Sequence, residues 1–176
     1  MLPDPLHPMV VHLPLALAVL LPAFALVAIW AIRRGGRPRN IWAVPVAAVL
    51  LLSAGAWVAL ETGENEEERV EDVLRSERPL HEHEEAAETF LLIAGVVTLI
   101  GLGGLANGRV GTTARWLTVA GSVVLLASAV QVGSAGGKLV YEHGAAAAYV
   151  EGGTLYDRAV TQPDRIRGDD EDDAGR

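Results

Sequence analysis

Histidine is scarce in this chain, and all five copies lie near one end of its apolar segments: His7, His12, His81, His83 and His143. Carboxylates crowd beside them. Glu61, Glu64, Glu68 and Asp72 recur three and four residues apart, which places them on one face of a helix. The segment HEHEEAAETF carries His81, Glu84 (or Glu85) and Glu88 on one helical face, with His83 pointing elsewhere. Imidazole and carboxylate together suit zinc, iron, manganese or copper. Two histidines on facing helices around an apolar pocket would instead suit haem b. The expected cofactor ligands are His12, His83 and His143. In the metal case His7, Glu61 and Glu64 join them. His12 carries weight of its own, because an imidazole one turn inside an apolar helix is costly against lipid and should face the bundle interior. His7, just ahead of Pro8, can cap the first helix.

Four stretches must position these groups. Residues 8–32, 41–60, 89–107 and 116–137 contain no Asp, Glu, Lys or Arg. Each reaches the ~20 apolar residues that a helix needs to cross ~30 Å of hydrocarbon. A spanning segment must satisfy its own backbone, so each should be helical. None shows the polar face that a surface helix of a soluble bundle would carry. The expected fold is all-α, an integral membrane four-helix bundle over residues 1–148. The acidic stretch 149–176, ending in RIRGDDEDDAGR, reads as a disordered, solvating tail.

The connections are sharply divided by charge. Residues 33–40 (RRGGRPRN) and 107–115 hold six arginines and no acid, while the other side holds all twenty-two acids and eight bases. The positive-inside rule then predicts both termini outside a cell membrane. Trp30, Trp42 and Trp116 fall at the inner ends and Trp57 and Tyr141 near the outer ends, as interfacial belts would. The start, MLPDPLHP, lacks the basic n-region of a secretory signal. Residues 61–75 are mostly good helix formers, so the second helix should run on beyond the bilayer as a stub. The pair Gly136-Gly137 should end or bend the fourth helix.

The chain has no cysteine, which excludes disulfides, iron–sulfur clusters, thiolate zinc sites and covalent c-type haem. The Glu-x-x-His repeat of di-iron bundles is absent, since Arg78, Leu80 and Val140 stand three residues before His81, His83 and His143. No mid-membrane charge points to an ion carrier, and no nucleophile and base at recognisable spacing points to a hydrolase or other enzyme. Nothing points to nucleic acid.

HPMVVHLPLALAV, ETG, HEEAAE and GGKLVYEHGAAA together resemble a family of prokaryotic membrane proteins catalogued as domain of unknown function 2231. The resemblance covers about residues 6–148. HPxxVH and GGxLVYxHG are its more specific motifs. Some members are joined to c-type cytochrome modules, so the resemblance implies redox work and a cytochrome or other redox membrane protein as partner. Family patterns end in HGVGV, whereas His143-Gly144 is followed here by alanines. The expected function is an outer-face His/Glu cluster binding a transition metal or haem b in a redox role. The alternative is a cofactor-free structural or accessory subunit, in which Ala129, Gly133 and Gly137 form a small-residue ladder for close helix packing.

Overall fold

The four charge-free stretches lie in four long helices of the computed structural model, which describes residues 6–149. In chain order the elements are α1 His7–Val10, α2 His12–Arg33, α3 Pro38–Glu64, α4 Glu67–Glu71, α5 Arg78–Gly103 and α6 Gly108–Tyr141. A 3₁₀ turn, Ala145–Tyr149, follows. The first two elements form one length of helix, nicked at Val11. Pro14 has no N–H to offer the Val10 carbonyl, and the next bond, from Leu15 N to Val11 O, is 3.3 Å. Pro8, Pro38 and Pro79 each occupy a first-turn position, where a missing N–H costs nothing. Counting α1 with α2, four helices are long and apolar enough to cross a membrane.

The helices form a closed ring in which α2 packs on α3, α3 on α5, α5 on α6, and α6 back on α2. The core is built of small residues with a few large ones between them. Ala18, Leu21, Val49, Leu52, Ala94, Val97 and Leu125 fill its middle. Among helices that lipid would solvate equally well one by one, such close approach and interhelical hydrogen bonds hold the bundle together. Ser53 Oγ and Thr98 Oγ1, 2.9 Å apart, supply one of these bonds. The outward faces carry Leu13, Leu26, Leu50, Leu92, Leu99 and Val123, an apolar surface for a bilayer.

At the arginine end, Trp42 does not join an interfacial belt. It is fully buried, and its Nε1 donates to the Gly101 carbonyl at 2.9 Å. Gly104 makes room for it, since a Cβ there would stand 2.2 Å from the indole nitrogen. Trp30, Trp57 and Trp116 remain on the surface.

Three local expectations are revised. First, α3 stops at Glu64 rather than running to Arg75. The Asn65 side chain folds back onto the Glu61 carbonyl and competes with the helical ladder. Second, Gly136-Gly137 neither ends nor breaks α6, which continues to Tyr141. Third, the small-residue ladder is not a contact surface throughout. Ala129 is buried, but added methyls at Gly133 and Gly137 would meet open space. Of the stretch read as a tail, Tyr149 belongs to the 3₁₀ turn. Residues 150–176, and the first five residues read as lacking a signal, lie outside the described residues.

Candidate functional site

The break after α3 leaves Glu66 at the centre of the acidic end. Its Oε1 accepts the Leu6 N–H at 3.0 Å and the His7 N–H at 3.2 Å. It therefore caps α1 from sixty residues away, the role that sequence assigned to His7. A carboxylate suits this place, where a helix presents unpaired N–H groups and the positive end of its dipole. Glu66 Oε2 accepts the Tyr149 hydroxyl. One side chain thus ties the start of the first helix to the turn after the last. Beside it Val70, Leu80, Leu139 and Ala145 form a second small core, with Leu74 and Tyr149 against it. The alanine run after His143 contributes to this roof.

Beneath the roof two histidines face each other. The rings of His7 and His83 stand 6.2 Å apart between centroids, with their planes at 90°. Each packs on a glycine: a Cβ at Gly63 would lie 3.2 Å from His7 Nδ1, and one at Gly136 would lie 3.1 Å from His83 Cε1. His7 Nδ1 donates to the Ala59 carbonyl at 2.8 Å, which the Thr62 hydroxyl also reaches at 2.9 Å. With its proton on Nδ1, His7 keeps its lone pair on Nε2. His83 Nδ1 is buried and has no hydrogen-bond partner. His7 is thus anchored to a backbone carbonyl through one nitrogen, with the other left over. Histidines that bind metals are held in this way, because the backbone bond sets tautomer and orientation.

Two cavities share a wall made by His7, Gly63, His83 and Glu84. The smaller, about 80 Å³, lies towards the bundle core and reaches Glu64, Ala87 and Phe90. The larger, about 440 Å³, lies under the roof and reaches Glu66, Glu67 and Tyr149. Their walls are mainly apolar, with acids at the edges. The charge of Glu84 holds the Glu67 carboxyl above the usual carboxylate range, helped by burial and by Glu71 and opposed by His81. Among the described residues no three His, Cys, Asp or Glu side chains stand together as a ready-made metal site.

Of the residues singled out from sequence, the fold brings His7, His83 and Glu64 to one place. His12 is exposed on the outside of α2 rather than turned inward. Five residues on from His7, it has turned away while His7 faces α3. His143 is exposed and lines a groove of about 670 Å³ between α5 and α6, with Lys138, Glu82 and Glu85. Glu61 is exposed and lines neither cavity. His81 is exposed too, its Nδ1 3.1 Å from Glu84 Oε2. Glu66, Gly136 and Tyr149 were not read as site residues. No local signal marks them, because their roles arise from contacts across the whole chain.

The segments HPMVVH, ETG, HEEAAE and GGKLVY supply His7, Gly63, His83 and Gly136, so all four meet at one point. The family model for DUF2231, described as a predicted membrane protein, matches residues 3–148. No curated protein and no solved structure matches the chain.

Proposed function

The chain belongs to the DUF2231 family of predicted membrane proteins, and on that premise we propose that it is a multi-pass membrane protein holding a transition metal ion between His7 and His83. One observation carries the reading: His83 Nδ1 is buried without a partner, in a ring whose centre stands 6.2 Å from that of a second histidine oriented by a backbone bond. A buried polar atom left unpaired costs about 1–3 kcal/mol, and a bound ion would remove that cost. Two imidazoles would supply two ligands. Glu84 on the shared wall, Glu64 on the smaller cavity, or water would complete the set. The acids favour a cation over haem b, whose propionates they would repel. Of the ions that His and Glu suit, copper and iron fit the redox role implied by the family resemblance, with a cytochrome or other redox membrane protein as partner.

The arginine bias supports a cytoplasmic arginine end, which sets this site and both termini on the outside. A reporter fused after Arg176 checks the orientation, and cytoplasmic behaviour would refute it.

The metal reading is tested on the purified full chain by elemental analysis and a visible spectrum. Near-stoichiometric metal that disappears in His83→Ala and His7→Ala, but persists in His12→Ala, supports it. A Soret band would replace the ion with haem b. Equal metal content in wild type and His83→Ala would overturn both. The result would then favour the cofactor-free accessory subunit, which has its own support in the way Glu66 braces α1 and Tyr149.

A further inference from the structure

The arginine end contains a hollow of a different chemistry. It measures about 550 Å³ and opens between Ile32 and Pro38 on one side and Asn107, Arg109, Thr112 and Arg115 on the other. Arg115 is only 6% exposed. Its Nε donates to the Gly104 carbonyl at 2.8 Å and its Nη2 to the Ala106 carbonyl at 3.0 Å. Its guanidinium carbon stands 5.9 Å from the centre of the Trp42 ring. Carbonyls and a ring satisfy some of its donors but do not balance its charge. Every acid of the described residues lies at the other end of the bundle. Arg115 Nη1 makes no hydrogen bond, and the side chain lines the hollow.

Helix α6 begins at this same place. Asn107 provides no side-chain cap, so the first N–H groups of a 34-residue helix are left for an outside acceptor. They carry the positive end of the helix dipole. Arg109 stands exposed on the rim. A buried cation without a counter-ion, an uncapped helix start and a rim arginine therefore converge on one space. Burying an unbalanced charge is unfavourable, and an anion in the hollow would relieve it. Oriented N–H groups and a guanidinium fork match the oxygens of a phosphate.

We propose that this hollow binds a phosphate group, and that the headgroup of an anionic phospholipid is its source. The surroundings fit an interface with lipid. Val110, Trp116 and Leu117 are exposed on the opening turns of α6. Arg33 lies over the Trp116 ring at 5.4 Å, and Arg34 over Trp30 at 5.0 Å. Basic pockets between membrane helices on the cytoplasmic side suit anionic headgroups.

The test titrates the full chain in neutral detergent with phosphatidylglycerol, phosphatidylcholine or inorganic phosphate, and reads bound ligand by native mass spectrometry. Phosphatidylglycerol should bind at least about tenfold more tightly than phosphatidylcholine and weaken as salt rises. Arg109→Gln should lose about tenfold, the equivalent of one charge-assisted hydrogen bond. Arg39→Gln, a change at the same end but off the hollow, should not. Arg115→Gln removes a buried fork and can fail to fold, so Arg109→Gln decides. Inorganic phosphate competing as well as the lipid would keep the site and assign it to a soluble anion. Equal binding of the two lipids, or an unaltered Arg109→Gln, would overturn the proposal.

Discussion

The two ends of this bundle solve opposite problems. At the arginine end the turns are short and large groups are buried: Trp42 bonds Gly101, and Arg115 bonds Gly104 and Ala106 while lying against the Trp42 ring. At the acidic end the helices break, and a roof of α4 and the 3₁₀ turn covers space rather than filling it. It also leaves a histidine nitrogen unpaired. The first arrangement spends most of its polar groups on the fold, leaving the start of α6 and one Arg115 nitrogen at the hollow. The second withholds some of them, as a ligand site must. Damage to the buried Trp42 core of the first should therefore appear as lost stability, and damage to the His7–His83 pair of the second as lost ligand.

The largest expected effect is at the packed end. Trp42→Ala empties a fully buried site and removes the indole bond to the Gly101 carbonyl, which should cost about 3–5 kcal/mol. Unfolding in a denaturant series measures this. Metal content per folded molecule should not change. If the variant loses metal in proportion to stability, the two ends are not separate in the way argued here.

The next effect has the opposite sign. His83→Leu removes the orphaned nitrogen and keeps most of the volume. Without metal the variant should be more stable than wild type by about 1–3 kcal/mol, while metal binding is lost. A His83→Leu protein less stable than metal-free wild type would mean that the histidine is a packing residue.

Glu66→Gln should cost about 1 kcal/mol through the weakened cap on α1. The amides of Leu6 and His7 should exchange with solvent faster, whereas those around Trp42 should not. Uniform exchange across both ends would show that Glu66 does not act locally.

The contrast between the ends also explains what the sequence made legible. The four spans depend on composition averaged over twenty residues, and they map onto α2, α3, α5 and α6. His83 was separated from the His81 face by helical period alone, and it does point inward. His7 and His12 could not be ranked in this way. Which of them faces α3 depends on the rotation of the helix, and the packing of Pro14 and Ala18 against neighbours sets that. Glu66 lay hidden in a run of three acids, and its role requires the bundle to bring Leu6 and Tyr149 to it. Trp42 looked like an interfacial residue because burial needs the gap at Gly104, just past the end of α5 and far along the chain.

The smallest expected effect concerns the acids themselves, which have no counterpart at the arginine end. Glu84 repels Glu67 and holds its carboxyl above the ordinary value of 4.5. A raised folded value means that the native protein binds this proton more tightly than the unfolded chain does. Between the two values the unfolded state holds fewer protons, so stability falls as pH rises, and below both values the penalty vanishes. Glu67→Gln should therefore flatten the decline in melting temperature just above pH 4.5. Glu84→Gln should do the same, because it removes the repelling charge. Bound metal should flatten it as well, since a cation beside Glu84 offsets the repulsion. If the decline survives both substitutions, Glu67 and Glu84 are apart in solution and the acidic wall of the cavity is looser than the structure shows.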